Sequence, residues 1–159
     1  MTAQTLRQQK GFTLIELLVV IGILAILLAI TLIAINPARQ FGLANDTNRR
    51  SAVTEILNSI GQYQSSNSGN LPTDIVSMAA TGSALPLNST NFPTLCAQLV
   101  PTYIPALPVD PSQNNQAGIN AAACGAAWDT HGYAISKDAQ GRITVSSTAP
   151  YAGPIQVTR

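Results

Sequence analysis

Gly11-Phe12-Thr13-Leu14-Ile15-Glu16-Leu17-Leu18-Val19-Val20-Ile21 opens an apolar run that continues to Ile35. From Phe12 to Ile35 there are 24 residues (35 − 12 + 1), interrupted only by Thr13, Glu16, Gly22 and Thr31. At about 1.5 Å per helical residue they extend roughly 36 Å, which crosses a bilayer core. One full charge sits inside this span. A carboxylate at the centre of a membrane helix costs about 2.5 to 3.5 kcal/mol on insertion scales, so an intramembrane Glu points to function and calls for a partner. Glu16 lies near the start of the run, which lowers that cost without removing it. The bland alternative is a side chain that reaches the headgroup layer beside Lys10.

The 159 residues suit one domain with a membrane tail. Beyond the apolar helix about 120 residues remain, enough for a small core. Eight Lys and Arg against seven Asp and Glu give a formal net charge of +1, with no electrostatic reach for nucleic acid. An ordinary secretory signal has a shorter apolar core, of about 7 to 15 residues, followed by an A-x-A-like site. Neither Ala29-Ile30-Thr31 nor Ala34-Ile35-Asn36 supplies small residues at both required positions, so cleavage before the helix fits better than cleavage after it. Arg7 and Lys10 precede the helix while Arg39, Arg49 and Arg50 follow it, which leaves the positive-inside count equivocal.

Pro37 removes a helical hydrogen bond to the carbonyl of Ile33, so it either stops the helix or bends it. The residues beyond favour bending. Val53, Ile56, Leu57, Ile60 and Tyr63 form a helical stripe, preceded by Phe41 and Ala44. Asn45, Asp46, Asn48, Arg49, Arg50, Glu55 and Asn58 are assigned to the polar complement. The stripe stops at Ser65-Ser66-Asn67-Ser68-Gly69-Asn70 and Pro72, which predicts one kinked helix from Phe12 to about Ser66. Residues 67–116 are rich in Pro, Ser, Thr and Asn and read as loops with short helical pieces, among them a helix of about two turns over Leu95 to Tyr103 with Leu95, Leu99 and Val100 inward. Tyr133 and Ile135, a turn over Lys137 to Gly141, then Ile143 and Val145 predict a hairpin. Residues 150–159 either add an edge strand at Ile155 to Val157 or are loose.

A polar leader with Arg7 and Lys10, then Gly11, an aromatic, and a carboxylate four residues later at the head of an apolar helix resembles the type IV pilin and pseudopilin family. The resemblance implies that a prepilin peptidase cuts between Gly11 and Phe12, removing residues 1–11, and that the same enzyme N-methylates Phe12. It then supplies Glu16 with its partner: the amine of Phe12 on a neighbouring subunit, an ion pair strongly preferred in low dielectric to two lone charges. The rival geometry is an intrachain bridge between Phe12 and Glu16 at i, i+4. Gly22, Ala25 and Ala29 would allow close approach of neighbouring helices. The implied fold is α+β: a long kinked N-terminal helix, membrane half over residues 12–36 and amphipathic half over 37–66, packed on a small C-terminal antiparallel sheet in a head over 67–159. The implied partners are the prepilin peptidase and methyltransferase, identical or related pilin subunits, an inner-membrane assembly platform, and lipid before assembly.

Cys96 and Cys124 in an exported head would most simply form one disulfide; buried free thiols are the alternative. Tyr103-Ile104-Pro105-Ala106-Leu107-Pro108-Val109-Asp110-Pro111 is similar to a segment of the major pseudopilins of type II secretion systems, whose heads bind calcium. That makes Asp110, Asp129 and Asp138 weak calcium candidates. The aromatic residues expected straight after Asp-Pro are absent and no EF-hand spacing occurs, so solvated turns are the better reading and no cofactor is expected. His131 is the lone histidine, with no Ser or Cys arrangement to serve as a base. No enzymatic motif stands out. The reading is a pilin-like structural subunit that polymerises through its N-terminal helix, with two alternatives: a secretion pseudopilin, or a minor tip subunit that binds DNA or a surface. For DNA the head is poorly charged, since Lys137, Arg142 and Arg159 face Asp74, Asp110, Asp129 and Asp138.

Overall fold

A computed structural model of the chain describes residues 11–113 and 117–159. The expectations for the leader, with Arg7 and Lys10, lie outside the described residues. The chain divides into two units, Met1–Gln40 and Phe41–Arg159.

In the first unit, Thr13 caps helix α1, Leu14–Ile35, which is apolar throughout apart from Glu16, Gly22 and Thr31, and has no buried residue. It is the single described helix long and apolar enough to cross a membrane. The expected continuous kinked helix is instead two helices. Asn36 stands between them in the left-handed region, with φ 47°, and α2 begins at Pro37. Two local causes combine. Pro37 has no N–H to extend α1, yet it suits the first position of a new helix. Asn36 tolerates positive φ better than most residues, and its backbone and side-chain carbonyl oxygens accept from Arg39 N–H at 3.1 and 3.3 Å, capping α2.

In the second unit, α2 (Pro37–Ser66) runs on from Phe41 beside four further elements of the sheet and two short helices. The strands β1 (Leu85–Asn88), β2 (Asp129–Lys137), β3 (Ile143–Ser147) and β4 (Ile155–Thr158) form one antiparallel sheet in the order β1-β2-β3-β4. The predicted hairpin is β2–β3, with Ile135 opposite Val145 and Lys137 opposite Ile143. The open question about the tail resolves as an edge strand, β4, with Ile155 opposite Ser147. Strand β1, which contains Pro86, lies in the stretch whose Pro, Ser, Thr and Asn content predicts loops and short helical pieces. Proline is compatible with a strand at the sheet edge, which is where β1 lies. The short helix α3 (Thr73–Ser77) falls among the expected helical pieces, and α4 (Leu95–Leu99) is shorter than predicted, with Leu95, Leu99 and Val100 buried as expected.

The core gathers Val53, Ile56, Leu57 and Ile60 of α2 with Leu87, Tyr133, Ile135, Ile143, Val145 and Ile155 of the sheet. Leu95 and Leu99 of α4, with Phe92, Ile104 and Leu107 of the adjoining loops, complete it. A face of apolar residues on one helix thus meets the inward residues of an antiparallel sheet, the α+β solution to burying both. The stripe is wrong at its N-terminal end. Phe41 and Ala44 are exposed, while Asp46 and Arg49, assigned to the solvent side, are buried at 2% and 5% exposure.

Candidate functional site

The residues expected to direct processing and assembly lie at the start of α1. Gly11 and Phe12 precede α1, and Thr13 at its N-cap is extended. The next residues form a capping box: Glu16 N–H donates to Thr13 Oγ1 at 3.3 Å, while Glu16 Oε2 accepts from Thr13 N–H at 2.8 Å and from Thr13 Oγ1 at 2.7 Å. Glu16 therefore spends its carboxylate on the helix's own start, and the reciprocal pair satisfies two backbone donors that helix geometry leaves open, Thr13 N–H and Glu16 N–H. Sequence reasoning passed over this pairing although Thr13-Leu14-Ile15-Glu16 spells it out at the i, i+3 spacing. In the uncleaved chain the Phe12 nitrogen is an amide, so the i, i+4 ion pair does not exist.

Beyond Glu16, α1 presents apolar side chains on all sides, with Ile33 at 84% exposure. Such a helix is stable in water only when something else covers it. Gly22 has open space where a Cβ would be, and Ala25 and Ala29 are exposed one turn apart on one face.

The remaining candidates lie in the second unit and are dispersed. Cys96 and Cys124 form the disulfide, with Cα atoms 5.4 Å apart, tying α4 to a 3₁₀ turn at Ala123–Gly125. Asp129 is partly exposed and accepts from His131 N–H at 2.6 Å, its other oxygen lying 3.8 Å from His131 Nδ1. Asp138 closes the β2–β3 turn, accepting from the backbone N–H groups of Gln140 and Arg142 and from Arg142 Nε at 2.6 Å. Burial works against its charge, but the Arg142 bonds prevail and hold its carboxyl below the usual range. Among the described residues no three His, Cys, Asp or Glu side chains come together to hold a metal ion.

Asp110 is not a solvated turn residue. It is buried at 4% exposure and receives Arg49 Nε and Nη2, each at 2.8 Å, in a bidentate pair. Ser112 adds its backbone N–H at 2.8 Å and its hydroxyl. The third Arg49 nitrogen donates to Asp46 Oδ1 at 2.7 Å, and Asp46 Oδ2 accepts from the backbone N–H groups of Tyr151 and Ala152 at 3.0 and 2.8 Å. Burial pushes the Asp110 carboxyl up, but the Arg49 and Ser112 hydrogen bonds outweigh it and bring it to about 2. Burial, with the Asp110 charge nearby, pushes the Tyr133 hydroxyl up to about 12. Arg49 thus pins α2 to the Asp110 loop, and Asp46, itself bonded to Arg49, pins it to the turn at Tyr151 and Ala152. Extending the apolar stripe backwards from Val53 by four and seven residues lands on Arg49 and Asp46, and that was the available signal.

No curated protein and no solved structure matches the chain significantly. Residues 6–32, from the leader through most of α1, match the family model described as the prokaryotic N-terminal methylation motif, so the chain carries the signature of type IV pilins and pseudopilins at its N-terminus.

Proposed function

We propose that the chain is a structural, pilin-like subunit rather than an enzyme. It is held in the cytoplasmic membrane by α1 with the second unit outside, cut between Gly11 and Phe12, N-methylated at Phe12, and polymerised through α1 into a helical filament. The carrying observation is a lone carboxylate, Glu16, at the head of an otherwise apolar and wholly exposed helix, most of which lies within the matched methylation motif. Such a helix exchanges lipid for copies of itself at little cost, because packing in both environments is between apolar groups. Cleavage creates a cation at Phe12. Glu16 of an incoming subunit then trades the Thr13 cap for that amine, and the pair is worth most where water is excluded.

Glu16→Gln separates the two roles of the residue, since glutamine still completes a capping box but carries no charge. The variant is expected to insert and to be processed, yet to yield few filaments in a sheared surface fraction or an isolated periplasmic filament preparation. Filaments at wild-type level would overturn the intersubunit pair. Mass spectrometry of the assembled subunit's N-terminus is expected to find methylated Phe12, and a subunit beginning at Met1 would overturn the processing step.

A further inference from the structure

Among the described residues of the second unit, four large apolar side chains are exposed: Phe41 at 73%, Val76 at 59%, Tyr151 at 50% and Leu85 at 36%. Two of them adjoin. The Tyr151 ring lies so close against Gly42, the residue after Phe41, that a Cβ there would overlap its edge. The ring is not on a loose turn, because Asp46 accepts from Tyr151 N–H and Ala152 N–H while itself held by Arg49. A buried charged network therefore fixes a half-exposed tyrosine in place, on a turn, Pro150-Tyr151-Ala152-Gly153-Pro154, that has no charged residue.

We propose that the Phe41 and Tyr151 patch rests in the phospholipid headgroup layer while the chain is membrane-anchored. The proposal depends on α1 being that anchor. Phe41 follows Ile35 by six residues. Pro37 to Phe41 is helical, about 6 Å of rise, and the two-residue link before it spans at most about 7 Å. Connectivity alone thus keeps Phe41 within about 13 Å of the end of the apolar run, beside a headgroup layer about 5 to 7 Å deep on each side. Aromatic rings with one polar tip, tryptophan and tyrosine, are the side chains that favour this layer, and an uncharged turn enters it without losing ion hydration.

The test uses the isotope-labelled full chain in phospholipid nanodiscs loaded at one chain per disc, with nitroxide-bearing lipids. A headgroup nitroxide is expected to attenuate the amide signals of Phe41, Gly42, Tyr151 and Ala152 and to spare those of Val76 and Leu85. The Phe41→Ser, Tyr151→Ser double variant is expected to lose that attenuation at Ala152. If an acyl-chain nitroxide attenuates α1 while Tyr151 and Ala152 keep full intensity, the patch is off the membrane and the proposal fails with the anchor intact. If α1 itself is spared, the anchor reading fails too. Protection of the patch only in discs holding several chains would assign it to a second copy and overturn the lipid assignment.

Discussion

At Asp110 the carboxylate meets two nitrogens of Arg49 on one side and the backbone of β2 on the other, close enough that a Cβ on Gly132 would lie 2.9 Å from the Asp110 Cβ. Asp110→Asn leaves the Arg49 guanidinium buried with only Asp46 as an anionic partner. Removing one member of a buried pair costs about 3 to 5 kcal/mol, which should appear as a lower urea midpoint for the detergent-solubilised chain. Gly132→Ala should cost less, about 1 to 3 kcal/mol, because the carboxylate must shift to admit a methyl group. The pH dependence follows from the same contacts. The Asp110 carboxyl, brought down from 3.8 to about 2, binds a proton less readily in the folded chain than in the unfolded one. Its contribution is therefore complete above about pH 4 and is lost as the pH falls through about 2. Urea midpoints measured across that window should decline steeply for the parent chain and more gently for Asp110→Asn.

At the scale of elements, helix starts and covalent ties set what forms. Thr13→Ala removes the oxygen that caps α1, a loss of about 1 kcal/mol in caps of this kind, whereas Thr13→Ser keeps it. Faster amide exchange at residues 14–17 in Ala than in Ser, measured in micelles, would register the cap. The disulfide closes a 29-residue loop (124 − 96 + 1). On the chain-entropy model its removal by Cys96→Ala with Cys124→Ala costs about 3 to 4 kcal/mol, to be read as a lower melting temperature that reductant no longer changes. Periodicity made the long helices and the β2–β3 hairpin legible, because each is written in consecutive residues. It failed for β1, where edge position excuses a proline, and for the join at residue 36, where an asparagine's tolerance of positive φ turned a bend into a break.

For the whole molecule, one apolar helix without buried residues and one head with its own core divide the work between them. The N-terminal part fits a membrane-anchored precursor and carries the methylation motif. Head and helix differ in how they were readable. The apolar span and the motif were legible in the chain alone, since hydrophobic length and a contiguous recognition stretch need no tertiary partner. The inward turn of Asp46 and Arg49 was not, because a charged residue on a helix faces water unless a counter-charge waits inside, and Asp110 lies 61 positions away along the chain. Only folding brings that carboxylate to α2, and with it the decision that the polar end of the stripe belongs to the interior and Phe41 to the outside.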